Sequence, residues 1–123
     1  MRTLDLNVDR VYLAAGYTDM RLGIDGLAAL VEYCYELDPM QKVLFLFCGR
    51  RADRIKGLLW QGDGYLLLYK RLNNGRFHWP RDKNEVRELD EQQLRWLLEG
   101  LKINQKTSIK KVNKINNIAL YKA

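Results

Sequence analysis

The chain has 123 residues, of which 47% are apolar and 29% charged, a composition typical of one folded domain and not of a disordered chain. Its longest uncharged apolar run, residues 43–48, is too short to cross a membrane, and the first residues lack a secretory leader, so we expect a cytoplasmic protein without membrane contact. The formal net charge of +6, from 21 Lys and Arg against 15 Asp and Glu, favours an acidic partner such as nucleic acid.

The N-terminal third predicts one strand and one helix. Residues 10–15 are rich in β-forming side chains and read as a short strand. Thr18 or Asp19 can then cap a helix, because a side-chain oxygen at that position accepts a free backbone N–H of the first turn. Apolar residues recur with a period of about 3.6 over residues 18–37. The helix should end there, because the residue before Pro39 is pushed out of the helical region.

The middle of the chain predicts a buried strand followed by a hairpin. Residues 43–47 are all apolar, the pattern of a strand covered on both faces, and we expect this strand at the centre of the sheet. Residues 54–60 and 65–72 are strands that flank the turn at 61–64, whose glycines can adopt a positive φ.

A second hairpin is predicted by Asn74-Gly75, a favoured pair for a two-residue turn, which leads into a strand at 76–79. With that turn, one face of the hairpins is apolar and faces the core: Leu66, Leu68, Leu72, Phe77 and Trp79. The other face carries Tyr65, Leu67, Tyr69, Arg71, Arg76 and His78. A three-residue turn would shift the pairing by one position and break up this second face.

The C-terminal third predicts a charged surface connection, a helix and a tail. Residues 82–88 are charged and without periodicity. Asp90 and Gln93 then form a capping box, so we expect a helix over residues 90–101 with Leu94, Leu97, Leu98 and Leu101 facing the sheet. The domain is expected to span 1–103. Residues 104–123 are rich in lysine and contain no acid, which predicts a flexible tail that can form an amphipathic helix on binding.

These elements predict an α+β fold. We expect a mostly antiparallel β-sheet of about five strands, with the two main helices packed on one face and a basic face left open.

Chemistry-bearing residues are scarce. Two cysteines fourteen positions apart and a single histidine do not form a zinc site, and we expect Cys34 and Cys48 to be buried thiols. The basic central segment holds only Asp53 and Asp63, too few carboxylates for a two-metal site, and no serine or cysteine is placed to use His78. We therefore expect no enzyme, no metal, no cofactor and no small-molecule substrate.

The candidate site lies in residues 42–81, which hold 9 Lys or Arg against 2 Asp or Glu. Basic residues interleaved with aromatic ones are typical of nucleic-acid surfaces, where cations contact phosphates and rings stack on bases. The predicted phosphate contacts are Arg50, Arg51, Arg54, Lys56, Lys70, Arg71 and Arg76. The predicted stacking residues are Tyr65, Tyr69 and His78. The alternative is a solvated face balanced by the acids of the two helices.

Five segments, in this order and spacing, resemble a known family. They are YTDMRLGIDGLAALV, GRRADRIK, LLWQGDGYLLLYKRL, NNGRFHWP and LDEQQLRWLLEGL, and together they cover about residues 10–103. The family is the small accessory protein called TnpB of the sixty-six group of bacterial insertion sequences, which is not the RNA-guided nuclease of the same name. Gln61 stands where an acidic residue is expected, and the lysine-rich tail lies outside the family core.

The resemblance implies a role beside a separate, larger transposase, and it carries over no catalytic residue. Two functions remain open on this basis. One is a non-catalytic DNA-binding subunit that uses the basic and aromatic surface. The other is a protein-interaction module that binds the transposase and touches no DNA, with Trp60, Trp79 and Trp96 as candidate anchors, because tryptophan is enriched at interface hot spots.

Overall fold

The computed structural model describes residues 1–82 and 85–105, which form seven strands, two α-helices and one π-helical segment. The strands are β1 (Arg2–Thr3), β2 (Leu6–Asn7), β3 (Arg10–Ala14), β4 (Val43–Cys48), β5 (Arg54–Trp60), β6 (Tyr65–Arg71) and β7 (Val86–Leu89). The helices are α1 (Ile24–Ala29), which continues into the π-helical segment Leu30–Cys34, and α2 (Glu91–Leu98). No helix in the described part of the chain is long and apolar enough to span a membrane.

The main sheet has five strands in the order β6-β5-β4-β3-β7, and β1 and β2 form a separate small sheet. Only β3 and β4 run parallel, with α1 in the crossover between them, and every other neighbouring pair is antiparallel. The α+β class and the mostly antiparallel five-stranded sheet are confirmed. The strand at β4 occupies the centre, as its uninterrupted apolar sequence predicts.

The expectation that both helices share one face of the sheet is wrong. Alternate side chains of β4 point to opposite faces, and every residue of this strand is buried. Phe45 and Phe47 share a core cluster with Leu27 and Val31 of the α1 region. Leu44, Leu46 and Cys48 share the other cluster with Leu94 and Leu97 of α2. A strand that is apolar on both faces needs cover on both, so neither face of the sheet is open at β4.

The first hairpin is confirmed. The strands β5 and β6 pair in the register Leu58 to Leu67, and the Gln61 N–H donates to the Gly64 carbonyl at 2.9 Å. Gly62 adopts a φ of 87°, the positive value that the turn requires.

The prediction of a second hairpin is wrong, because residues 76–79 do not form a strand. The Phe77 N–H donates to the Ala52 carbonyl at 2.7 Å, and the Trp79 indole N–H donates to the Ala14 carbonyl at 2.8 Å. With these bonds and with both rings buried in the core, the segment crosses the end of the sheet instead of pairing with β6. The five residues predicted to face the core, Leu66, Leu68, Leu72, Phe77 and Trp79, do face it. The fifth strand is instead β7, within the segment expected to be a surface connection.

The first helix is shorter than predicted. It begins after Gly23, which has no side-chain cap, rather than at Thr18 or Asp19. Thr18 is buried, and its N–H donates to the Cys48 carbonyl at 3.0 Å, so the residues before the helix belong to a loop fixed to β4. The π-helical segment widens the last turn, and Cys34 is exposed rather than buried. Cys48 is buried as predicted.

The second helix begins as predicted. The Gln93 N–H donates to the Asp90 carboxylate at 2.8 Å, and the Asp90 N–H donates to the Gln93 side chain at 3.1 Å, which completes the capping box. Leu101 lies beyond the helix and is exposed, contrary to prediction. Of the tail predicted at 104–123, residues 106–123 lie outside the described part of the chain.

Candidate functional site

Three loops meet at one end of the main sheet, which we call the arginine end. The parallel strands β3 and β4 both finish there, so the loops at 15–23 and 49–53 lie side by side. Arg54 at the start of β5 pairs with Arg71 at the end of β6, which brings the third loop, 72–82, to the same place. Crevices beyond the carboxyl ends of parallel strands are common ligand sites because they are lined by loops on a rigid sheet.

Arg50 and Arg51 form the tip of the middle loop. The Ala52 N–H donates to the Gly49 carbonyl at 3.3 Å, so the two arginines occupy the central positions of a tight turn, and both side chains are exposed. At Gly49 a Cβ atom would lie 2.6 Å from the Met20 side chain, so a glycine lets the two loops approach closely. The local sequence thus presents two adjacent guanidinium groups on a turn.

Arg81 joins the three loops. Its guanidinium donates to the Gly16 carbonyl at 2.6 Å and to the Gly49 carbonyl at 2.5 Å. It also lies over the ring of Tyr17, 4.3 Å from the ring centroid, and Arg50 lies 5.3 Å from the same centroid. The preceding Pro80 is fixed in turn, because its carbonyl accepts the Gly16 N–H at 2.8 Å. One planar cation therefore sets the positions of the loops around it.

Two open grooves flank the Arg50-Arg51 turn. The first groove has a volume of about 580 Å³ and is lined by residues 17–20, 49–51 and Arg54. The second groove has a volume of about 510 Å³, and its polar lining residues include Arg76, His78, Arg81, Asp82, Arg87 and Lys102. Both arginines of the turn line both grooves, so they form a basic ridge between them.

Some of these charges are neutralised and others are not. Arg54 contacts Asp53 at 3.2 Å, and Arg87 contacts two carboxylates at 2.7 and 3.0 Å. Within residues 1–82 and 85–105, no carboxylate lies within 4.0 Å of the side chains of Arg50, Arg51 or Arg76. These three cations are therefore available to bind an external anion, as are the exposed Arg71 and Lys102, which also lack a carboxylate partner among the described residues.

Asp19 supplies a fixed negative charge in the first groove. Its carboxylate accepts hydrogen bonds from the Arg21 side chain at 2.8, 3.0 and 3.2 Å and from the Arg21 N–H at 2.9 Å. Hydrogen bonding to Arg21 lowers the pKa of Asp19 to about 2, so the carboxylate is ionised at neutral pH. The groove therefore contains an ionised carboxylate that is already paired with a cation.

The arginine end brings together most of the predicted basic residues but not all of them. Six of the ten predicted site residues lie there: Arg50, Arg51, Arg54, Arg71, Arg76 and His78. Lys56 is buried, and its ammonium donates to the Leu22 carbonyl at 2.8 Å and lies 5.7 Å from the centroid of Tyr69. Lys70 is exposed but points to the opposite face of the sheet from Tyr69.

Tyr65 lies at the opposite end of β6 from the arginines. It pairs with Trp60, and the two rings meet edge to face with centroids 4.9 Å apart. Burial raises the pKa of Tyr65, and the charges of Asp38 and Glu32 raise it further. Tyr65 is therefore poorly placed to stack on a base, because the nearby carboxylates would repel the phosphate of the same nucleotide.

Sequence reasoning missed Tyr17, Arg81, Arg87 and Lys102. Tyr17 and Arg81 come together across 64 positions of sequence, and Lys102 reaches the second groove only because the chain returns after α2. The one available signal was the position of Tyr17 directly after a strand, which becomes informative only when β3 and β4 are known to be parallel.

Metal-ligating side chains do not cluster in the described residues. Within these ranges, His, Cys, Asp and Glu form no group of three or more that could hold an ion. Of the tryptophans predicted as anchors, Trp79 is in the core, whereas Trp60 and Trp96 are half-buried.

Comparison with known proteins identifies relatives of the whole domain. The family model described as IS66 Orf2 like protein matches residues 9–108. The uncharacterized protein y4hO of Sinorhizobium fredii (strain NBRC 101917 / NGR234) is 39% identical over 92 residues, 75% of this chain and 80% of that protein. The uncharacterized protein y4jC of the same organism is 33% identical over 92 residues, 75% of this chain and 79% of that protein. No solved structure matches the chain.

Proposed function

Because this chain belongs to the IS66 Orf2-like family of insertion-sequence accessory proteins, we propose that it is a non-catalytic subunit that binds DNA through its arginine end. The family places the chain with the transposition machinery. DNA is the substrate of that machinery, and a basic surface on an accessory subunit would bring the two together.

The observation that carries the proposal is the group of unpaired cations at the arginine end. Arg50, Arg51 and Arg76 are exposed and lack a carboxylate within 4.0 Å among the described residues. A guanidinium group can donate two parallel hydrogen bonds to a phosphate, which makes arginine well suited to this contact. Keeping unpaired like charges adjacent on a turn destabilises the free protein slightly, and a bound polyanion removes that repulsion.

The scaffold beneath these cations is rigid. Arg81 donates hydrogen bonds to a carbonyl in each of the loops at 15–23 and 49–53. In the third loop, the Phe77 N–H donates to the Ala52 carbonyl and the Leu72 N–H donates to the Asp53 carbonyl. Contacts to phosphate fix the position of a protein on DNA without reading its sequence. We therefore expect the arginine end to position DNA rather than to select a base sequence.

Fluorescence anisotropy of labelled duplex DNA, measured at several salt concentrations, tests the proposal. The variant is Arg50→Gln/Arg51→Gln in the full chain, and the matched control is Lys42→Gln, because Lys42 is exposed and lies before the start of β4, at the opposite end of the sheet. The lysine-rich segment is present in every variant, so its contribution cancels in the comparison.

Loss of two phosphate contacts should reduce the salt slope of duplex binding by roughly 2, at about 0.9 per phosphate. The affinity should fall accordingly, while the thermal midpoint stays within 1–2 °C, a range of about 0.5 kcal/mol. The control should retain both affinity and slope. Equal affinity and slope for all three proteins would refute a DNA site at the arginine end.

A second candidate function is direct binding of the transposase of the same element, supported by the half-buried rings of Trp60 and Trp96. A contact anchored by aromatic rings depends weakly on salt, whereas phosphate contacts weaken steeply with it. Co-purification with the transposase at high salt, lost in Trp60→Ala or Trp96→Ala, would support this function. Retention of the complex in both variants would exclude these anchors.

A further inference from the structure

The geometry points to a specific ligand for the first groove. We propose that it binds one unpaired DNA nucleotide, with the base stacked on Tyr17 and the phosphate on Arg50 and Arg51. This inference rests on the proposed DNA-binding function and deepens it, because it predicts a preference for single strands and frayed or overhanging ends over fully paired duplex.

Tyr17 is an aromatic ring held open to solvent. It is 57% exposed, yet its backbone is fixed on both sides: the Gly16 N–H donates to the Pro80 carbonyl, and the Thr18 N–H donates to the Cys48 carbonyl. The Arg81 guanidinium lies over the ring at 4.3 Å and donates hydrogen bonds to two carbonyls. Arg50 lies farther from the ring centroid, at 5.3 Å, so a base that stacks there shares the ring with this guanidinium. The ring is therefore presented on a rigid support, and a ligand that stacks on it need not order a flexible loop.

The groove beside this ring has the size and charge for a nucleotide. Its volume of about 580 Å³ lies within the usual range for small-ligand sites, about 300 to 1,000 Å³. The two arginines of the turn and Asp19 all line it, and the Asp19 carboxylate is already paired with Arg21. A phosphate is attracted by Arg50 and Arg51, which have no carboxylate partner among the described residues, so we expect it at the turn rather than beside the paired Asp19.

Only an unpaired base can use this arrangement. Within a duplex both faces of each internal base are covered by its neighbours, and a terminal base stays tied to its partner, whereas a single strand can turn a base outward onto an aromatic side chain. Stacking on an aromatic residue is sequence-tolerant, and its loss on replacement by alanine weakens binding by between about 5-fold and 150-fold. The groove is thus suited to exposed strand ends of any sequence.

The test is anisotropy of the full chain with three labelled DNAs of one sequence: a single strand, a blunt duplex, and that duplex with a short overhang. The variants are Tyr17→Ala and Tyr17→Phe. Tyr33→Ala is the matched control, because Tyr33 is also an exposed tyrosine, at 76%, but lies in the π-helical segment away from the arginines. Thermal unfolding of each variant identifies any loss of folded protein.

Tyr17→Ala should weaken binding to the single strand and the overhang by between about 5-fold and 150-fold and leave blunt-duplex affinity within about 2-fold. Tyr17→Phe should stay within about 2-fold on all three DNAs, because the ring face remains. Tyr33→Ala should match the unmodified protein. If a folded Tyr17→Ala loses nothing, or loses equally on all three DNAs, the nucleotide site is refuted while DNA binding stands. Failure of the unmodified protein to bind any of the three would instead overturn the proposed function.

Discussion

Replacing Arg81 by alanine should destabilise the whole domain, although the residue lies in a loop. Its guanidinium makes two hydrogen bonds to backbone carbonyls, of Gly16 and Gly49, and one cation–π contact with Tyr17. These contacts hold together the loops that follow both parallel strands. Removing the side chain leaves two carbonyls in a part-buried site without their charged donor.

The size of the effect follows from these contacts. A hydrogen bond to a charged group contributes about 1.5–3 kcal/mol, and the lower end applies here because the site is only part-buried. Two such bonds and a cation–π contact of about 0.5–1 kcal/mol give a loss of about 3–4 kcal/mol. Arg81→Lys keeps the charge but cannot bridge both carbonyls, so it should lose about half of that amount.

Urea unfolding followed by tryptophan fluorescence measures the free energies directly. Arg51→Ala is the control, since Arg51 is exposed and has no carboxylate partner among the described residues, and its change should stay within about 0.5 kcal/mol. Equal stability of Arg81→Ala and Arg51→Ala would show that the three loops are held by their backbone contacts alone. Full stability in Arg81→Lys would show that charge, not the planar bidentate geometry, is what matters.

Three further predictions concern the core, a carboxyl group and the thiols. Trp79→Ala should lower the free energy of unfolding by about 3–5 kcal/mol, because it empties a buried site and removes an indole hydrogen bond; a change below about 1 kcal/mol in urea unfolding would contradict the core position. Arg21→Ala should raise the pKa of Asp19 from about 2 toward its ordinary value of 3.8, as measured by NMR titration. Because the pKa is lower in the folded protein than in the unfolded chain, the stabilisation from this pair is present above pH 3.8 and is lost as the pH falls toward 2. In the native protein at pH 8, a thiol reagent should modify the exposed Cys34 rapidly and the buried Cys48 only on unfolding, since burial raises the pKa of Cys48 to about 11; equal rates would contradict its burial.

Local patterns in the sequence were sufficient where one short segment determines its own structure. The capping box at Asp90 and Gln93, the glycine turn at 61–64 and the apolar run of β4 were all predicted and are present. In each case the residues that set the geometry lie within a few positions of one another, so the interaction is independent of the rest of the fold.

Predictions failed where a distant contact outweighed a local preference. Asn74-Gly75 favours a hairpin, and Gly75 does adopt a φ of 85°, but the Phe77 N–H bonds to the Ala52 carbonyl and the Trp79 indole to the Ala14 carbonyl instead of pairing with β6. The charged segment before α2 became the edge strand β7 because β3 offered an unpaired edge for it. Burial and ladder hydrogen bonds between segments far apart in sequence decided both outcomes.

The same distinction between local patterns and distant contacts applies to the candidate site. The sequence by itself determined that the chain is an α+β domain of the IS66 Orf2-like family, with its positive charge concentrated in the middle segment and in the lysine-rich C-terminal segment. It could not determine which of those charges lie together, because that depends on β3 and β4 running parallel and ending side by side. The tertiary structure buried Lys56, moved Tyr65 to the far end of its strand, and brought Tyr17 and Arg81 to the arginine end. A charge becomes a binding site only through its neighbours in space, and those neighbours are set by packing rather than by sequence order.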